Sequence, residues 1–366
     1  MKRLFLYSSI VLTFILSLLI VTSCSLNTSK PNYKENSINE KFQNIEIIAD
    51  THDISLILTN DDTSKVVFND EKNYTVTSEI ASGKLSIKVN DTRKWYQKIF
   101  NFEKKIITLY IPSGSYNSLS VENDTGNVNI PSGLDFENIT VSLSTGNIHN
   151  YASAKQNINL SSSTGNIYAE NITAKDISTT VSTGKVEIKN VVCNNFYSKG
   201  DTGNISLINL KAENNVDVER STGDVVIQNF EAENLSVKTN TGDISVEEAK
   251  VNNRIKTNST TGFTKMNSVS CKSFYSVANT GDIKLAEFIA EEKLEINRTT
   301  GDVKFERCDA GVITIETGTG DVKGSLLSEK IFLTKTNTGK IDVPKSKTGG
   351  YCDITTTTGD IVISIN

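Results

Sequence analysis

The chain has 366 residues, a formal net charge of −5 and 22% charged residues. That mildly acidic balance excludes a general nucleic-acid binder, which needs a basic field. With 2 histidines and 4 prolines, a histidine-based metal or general-base site has almost no material.

Lys2 and Arg3 precede a mainly apolar run from Leu4 to Ile20, which ends in Val21-Thr22-Ser23-Cys24. This is a charged n-region, an h-region and a small-residue cleavage site, so residues 1–23 read as a signal peptide. The cysteine directly after Thr22-Ser23 resembles a bacterial lipobox, which implies cleavage before Cys24 and lipid on its thiol. The other reading is an uncleaved anchor helix, since the run is nearly long enough to span a bilayer. Both place the remainder outside the cytoplasmic membrane. Two acyl chains on Cys24 suffice for stable anchoring. Residues 24–42 are polar and read as a tether between lipid and body.

From about residue 43 the chain predicts an all-β solenoid of parallel coils. The early coils are degenerate. Ile45, Ile47, Ile54 and Leu56 keep the register with His52 in the glycine slot, and Val76, Ile80, Gly83, Leu85 and Ile87 repeat it. Residues 90–105 interrupt the pattern before Ile107, Leu109 and Ile111 resume strand alternation ahead of Pro112.

The regular coils carry Gly126, Gly146, Gly165, Gly184, Gly203, Gly223, Gly242, Gly262, Gly281, Gly301, Gly320, Gly339 and Gly359, each preceded by threonine. Their period of about 20 residues is that of a repeat array. Apolar residues stand seven places before each glycine, from Leu119 and Ile139 onward, and two places after it, from Val128 and Ile148 onward, with Thr264 breaking the second set. Their alternation with polar residues is the period of a strand with one buried face. A third segment, exemplified by Ile172 and Ala174, completes a coil of strand, Thr-Gly-Asx bend, strand, bend, short strand and bend. Glycine suits the bend because it tolerates positive φ. A rival reading makes Gly-Asp and Gly-Asn hairpin turns of an antiparallel meander. Such a sheet would far exceed the usual ~10 strands, and the third segment has no place in it.

The strand Ile106-Ile107-Thr108-Leu109-Tyr110-Ile111-Pro112, the strand Leu119-Ser120-Val121 and the serial Thr-Gly-Asp-Ile and Thr-Gly-Asn-Ile bends resemble the bacterial putative-adhesin (Toastrack) domain family, over about residues 43–366. The resemblance implies a β-helical envelope protein linked to adhesion or envelope stress, with no catalytic residues to carry over. The insertion and the long regular run of coils depart from the family's shorter form.

Candidate sites are few. The residue after each glycine forms a ladder, Asn127, Asn147, Asn166 and Asn204 giving way to Asp224, Asp243, Asp282, Asp302, Asp321 and Asp360. Stacked carboxylates repel unless cations or bend amides neutralise them, so calcium is one reading and hydrogen bonding within the bend the other. Cys193 and Cys271 share one slot four coils apart, too far to bridge, and with Cys308 and Cys352 they fall in core slots and read as buried thiols. The basic and aromatic stretch from Arg93 to Lys105 reads as a membrane-binding or polyanion-binding segment, or as a cap. The final coil, through Gly359 and Ile361, ends without a cap and offers an edge for self-association. No catalytic, cofactor or metal residue is assigned; the one modified position is Cys24.

Three functions compete. The first is a non-catalytic, lipid-anchored surface protein for adhesion, envelope scaffolding or envelope stress, with a cell-surface protein or polysaccharide as partner. The second is a carbohydrate-active β-helix enzyme, which near-constant coil length disfavours because no loop can build a cleft. The third is an ice- or mineral-binding threonine ladder. Parity turns those threonines inward, which weakens it.

Overall fold

The computed structural model describes residues 32–70, 74–92 and 105–366. The chain divides into a unit ending at Tyr33 and a second spanning Lys34–Asn366, and the second is described below. The signal segment, Cys24, the start of the tether and residues 93–104 of the insertion lie outside the described residues.

Successive coils stack in parallel with the register that the glycine spacing predicts. Ile167 pairs with Val186, Ile177 with Phe196 and Thr183 with Thr202, and the same correspondence continues from coil to coil. The file seven places before the glycine and the file two places after it are both buried, Thr264 included, until the outermost coil is reached. Each fully buried Leu, Ile or Phe in them stabilises the fold by about 1.5–3 kcal/mol.

The glycine bend is tighter than positive φ alone requires. Its glycines have φ between 125° and 157°, and a Cβ on any of them would overlap the carbonyl oxygen of the residue in the same slot of a stacked neighbour. A second bend lies six places after the glycine, where Asn171, Asn190, Asn209, Asn229, Glu248, Ser268, Glu287 and Arg307 all take left-handed φ near 50°. Asparagine accepts that conformation at low cost, and the first four form a side-chain ladder with Nδ2–Oδ1 distances of 2.7–2.8 Å. The third corner absorbs the small differences in length between coils. Most register shifts fall there, for example between Phe136 and Asn138 and between Ala232 and Asn234; one falls at the second bend, between Phe305 and Cys308, and the glycine bend carries none.

Chain order and stacking order part company at both ends. At the N-terminal end β1 (Tyr33–Ile38), β2 (Asn44–Ala49), β3 (Asp53–Thr59), β4 (Ser64–Asn69), β5 (Tyr74–Ala81), β6 (Lys84–Asp91), β7 (Ile106–Pro112), β8 (Gly114–Thr125) and β9 (Val128–Ile130) precede the regular coils. The coil β2–β3 is sandwiched: β2 pairs with β6 on one side and β8 on the other, and β3 with β7 and β9. β4 runs antiparallel to β7, and β5 antiparallel to β6, so this end is closed by strands of reversed direction.

The structure corrects two expectations at this end. Residues 76–87 form a hairpin rather than a coil, because Ser82 and Gly83 both take positive φ, 51° and 72°, as a two-residue turn of the mirror-image type requires. The tether read over 24–42 contains β1, and Ile38 and Phe42 at its end are buried. The apolar residues are too sparse in that stretch to display a period.

The C-terminal end repeats the device. From β10 (Leu134–Thr145) to β20 (Ile283–Thr300) stacking follows chain order. Then come β21 (Val303–Thr319), β22 (Val322–Leu326), β23 (Lys330–Thr338), β24 (Ile341–Asp342), β25 (Gly350–Thr358) and β26 (Ile361–Ile365). β25 lies between β21 and β23, and β26 between β22 and β24. The predicted open edge at Gly359–Ile363 is therefore interior, and the edge is the coil of β23 and β24. Lys330, 4% exposed, reaches back to Asp309 at 2.6 Å, past Gly350, which has no side chain to obstruct it.

The bend geometry gives a direct test. Gly223→Ala places its Cβ on the Gly203 carbonyl, whereas a Cβ at Gly114 meets nothing within 4 Å. Gly223→Ala is expected to cost at least about 3 kcal/mol and Gly114→Ala little, read from thermal and urea melts. Equal effects of the two would refute the close-approach account.

Candidate binding faces and ladders

Polar groups of the glycine bend find their partners in neighbouring coils. The Gly146 N–H donates to Thr164 O at 2.8 Å and the Ile148 N–H to Asn166 O at 2.8 Å. The glycine carbonyl accepts from the hydroxyl three places before the next glycine at Ser162, Thr239 and Thr317, whereas the Ser259 hydroxyl in the same slot has no hydrogen-bond partner. The N–H after the glycine donates to the Oδ1 of the preceding Asx side chain.

That last bond answers what neutralises the aspartate ladder. The amides of Asp243, Asp302, Asp321 and Asp360 reach Oδ1 of Asp224, Asp282, Asp302 and Asp321 at 2.8–3.0 Å. Asn and Asp are interchangeable as acceptors, which is why the ladder changes composition without changing geometry. It runs in three stretches, ending at the amides of Lys185, Phe263 and Lys340, whose own side chains accept nothing there. Where the aspartates are most densely stacked, Lys284, Lys304 and Lys323 stand in register two places further on. Lys304 meets Asp302 at 3.1 Å and Lys323 meets Asp321 at 2.6 Å. Bend amides and lysines thus supply the compensation. Among the described residues no group of three or more His, Cys, Asp or Glu could hold a metal ion.

The interior holds two further polar cassettes. Thr179 donates to Ser198 at 2.8 Å, and Ser198 also accepts from Arg220 Nη2 at 2.9 Å; Thr257, Ser276 and Arg298 repeat this at 2.7 and 2.8 Å. Gly200 leaves room beside Arg220, where a Cβ would come within 2.5 Å of Nη1, and Ala278 occupies the equivalent place beside Arg298. Both arginines are 2–3% exposed, and each Nε has no hydrogen-bond partner. Burial lowers both guanidinium pKa values to about 10. Cys193, Phe196 and Tyr197 recur as Cys271, Phe274 and Tyr275 at the offset that separates the two arginines, so the cassettes belong to a four-coil duplication. That offset was the signal that a search at the single-coil period passes over.

The four described cysteines are free and buried, as the register predicts. Burial pushes the Cys193, Cys271 and Cys352 thiols up to about 12. Cys24, the one assigned modification site, lies outside the described residues, as do Arg93 to Lys104. Lys105 is buried with its Nζ 3.5 Å from the Tyr74 ring centroid.

The threonine ladder is corrected. All thirteen threonines before the bend glycines are exposed. The ladder pairing skips the residue before each threonine, so Leu143 and Thr145 are paired with Ser162 and Thr164 while Ser144 and Ser163 are left out. This irregularity shifts the side-chain parity that placed the threonine inward. The ladder therefore forms an uninterrupted surface file along the regular coils. Elsewhere the surface offers shallow features, among them a groove of about 600 Å³ along the third corner with Phe136, Ala154, Ala174 and Cys193 in its wall and Lys155 and Lys175 beside it.

The ladder and the cassette each have a measurable consequence. The Lys323 ammonium and the Asp360 amide hold the Asp321 carboxyl below its ordinary 3.8. A depressed carboxyl contributes stability above its unfolded pKa and loses it as pH falls through the folded value. Asp321→Asn keeps the acceptor but not the charge, so its melting temperature should fall below wild type near neutral pH and approach it as pH falls through the depressed folded pKa; a gap that does not vary with pH would contradict this. Replacing Arg298 with Met removes a buried charge that makes no ion pair among the described residues, and Ser276 keeps the Thr257 hydroxyl. The gain should be about 1–4 kcal/mol by denaturant melt, and a loss of stability would show the guanidinium to be a net stabiliser.

Comparison with known proteins adds a family. The Toastrack DUF4097 model matches residues 42–152, 150–269 and 263–366. No curated protein matches the chain. Among solved structures, a "putative adhesin" from Bacteroides fragilis is 16% identical, covering 70% of this chain and 98% of that one, with a TM-score of 0.34. A "putative lipid binding protein" from Parabacteroides distasonis is 15% identical over 68% and 96%, with a TM-score of 0.36. A "putative cell adhesion protein" from Clostridium sporogenes is 8% identical over 92% and 100%, with a TM-score of 0.19.

Proposed function

The chain belongs to the Toastrack DUF4097 family, and from that premise we propose that it is a non-catalytic surface protein, held at the membrane by lipid on Cys24, that presents its solenoid faces to a cell-surface polysaccharide or protein in adhesion or envelope scaffolding. The observation that carries the reading is the regularity of the surface. Coils of near-constant length leave extended polar faces and shallow grooves, while catalysis needs a cleft with convergent acids and bases. The tyrosines of the duplication, Tyr197 exposed and Tyr275 half-buried, add to it. Tyr197 and Tyr275 stand on the same outward strand position four coils apart, the latter flanked by Arg254 and Lys293 at 5.6 Å, and rigid aromatic side chains with a polar tip are favoured at binding surfaces.

The exposed threonine file supports a second reading, an ice- or mineral-binding ladder, because a rigid row of equally spaced hydroxyls can match a repeating lattice. Its neighbours are mixed: Asp124, Ser144, Ser163 and Asp201 occupy the adjacent file, which suits a hydrated polymer better than a uniform lattice.

One experiment addresses anchor and ligand together. Wild-type and Cys24→Ser chains are expressed in a bacterial host and fractionated, and both are applied to a glycan array. Wild type should sediment with membranes and the variant should be released, while both bind the same glycans without cleaving them. Retention of the variant in the membrane would favour the anchor helix, glycan cleavage the enzyme, and ice-growth inhibition without glycan binding the threonine-ladder reading.

A further inference from the structure

The two ends of the solenoid are finished differently. At the N-terminal end β4 and β5 lie antiparallel across the outermost coil. At the other end the coil of β23 and β24 has no described strand beyond it. Residues in its core files show the consequence. Ile341 is 43% exposed, where its stacked neighbour Ile361 is fully buried, and Phe332 is only partly buried, where its neighbour Cys352 is fully buried. In the interior, the glycine amide and the amide two places on donate to the next coil. Those of Gly339 and Ile341 have no next coil among the described residues to receive them. Repeat arrays need such ends covered, and an unpaired edge is a template for an added strand.

Charge decides what can cover it. Lys335, Lys340, Lys345 and Lys347 are all exposed around this end. The two exposed carboxylates among residues 327–349 are engaged locally, Asp342 with Lys340 at 3.4 Å and Glu329 with the hydroxyls of Ser346 and Thr348 at 3.0 and 2.6 Å. A second copy would bring the same lysines against these, and like charges across an interface are repulsive. Pro344, at the start of the connection to β25, further limits edge-to-edge pairing of identical chains.

We propose that the C-terminal coil is a docking edge for an extended acidic peptide segment of another protein, which adds as the next rung by β-augmentation. Its carbonyls accept from the waiting amides, its apolar side chains cover Phe332 and Ile341, and its carboxylates meet the lysines. This moves the edge from the chain's last residues to β23 and β24, and replaces self-association with a partner of opposite charge. It uses a surface apart from the solenoid faces of the function proposed above, so a failed glycan array leaves it untouched.

The test is fluorescence anisotropy of a labelled peptide of alternating valine and glutamate titrated with the full-length protein. Saturable binding is expected, weakened at least about tenfold by Lys335→Glu with Lys345→Glu and Lys347→Glu, with a valine–lysine peptide binding poorly. A melting curve establishes that the triple variant is folded. Should it not be, Ile341→Glu, which sets a negative charge over the open core, is expected to abolish binding in its place. Absence of saturable binding, equal binding by wild type and a folded variant, or equal affinity for the lysine peptide overturns the proposal. So does sedimentation showing that the full-length chain pairs with itself in a concentration-dependent way that Leu333→Asp abolishes, since a second copy would then be the occupant.

Discussion

Two stacked backbones approach each other at the glycine bend more closely than any side chain allows, and the rest of the coil is arranged around that contact. The space a Cβ would fill is taken by a carbonyl oxygen of the neighbouring coil. Because each bend sits on the last, the requirement is mutual. A single bulky residue displaces two coils and not one. Buried backbone groups must be paired, and inside the array amides donate to one neighbour while the other supplies accepting side chains. The bend is therefore the part of the coil that cannot vary. The third corner, where no such approach is needed, takes the length variation.

The same accounting explains which polar residues belong in the core and which do not. The Ser162, Thr317 and Thr356 hydroxyls, three places before their glycines, fit because a neighbouring glycine carbonyl faces each of them. Arg220 and Arg298 occupy that slot without matching it. Each finds a serine hydroxyl and the carbonyl of its own preceding residue, and each leaves Nε unpaired. A buried ion that is incompletely bonded is a net cost unless it specifies something. The serine it contacts lies one coil away, so these arginines tie particular coils together in an array whose coils are otherwise similar enough to stack out of order.

The coil was legible because its signals are local and repeated. Glycine at a near-constant interval, apolar files on fixed offsets and small residues such as Ala174 and Cys193 at the third corner each state a rule in coil after coil. What was not legible came from single events or from geometry outside the strand period. The outward threonines depend on a ladder irregularity at one residue, which a strict alternation of faces passes over. The second bend was hidden because Asn171 and Asn209 share their left-handed slot with Glu248 and Arg307, and no residue type marks it throughout. The Ser82-Gly83 turn looked like one more bend because the apolar residues on either side suit a hairpin equally well. Nothing in the repeat distinguishes Gly359 from Gly339, so chain order was the natural guess for stacking order.

That exchange of order at both ends bears on how a repetitive sheet avoids growing. If each terminal segment lay at its own end, fraying would begin there and the freed strand would expose the next. Placing β25–β26 one coil inside means that the last described strands are hydrogen-bonded on both sides, and at the other end β2–β3 is flanked in the same way, with β1 before it paired to β4. At the C-terminal end Lys330 adds an ion pair with Asp309 that spans the tucked strand. The N-terminal end is then closed by reversing strand direction, which no parallel coil can extend. The C-terminal end keeps the parallel direction, and its lysines take over the task of selection. An edge built this way refuses copies of itself by charge while its backbone stays available, and the difference between a closed end and a selective one comes down to strand direction at β4 and β5 against lysine placement around β23 and β24.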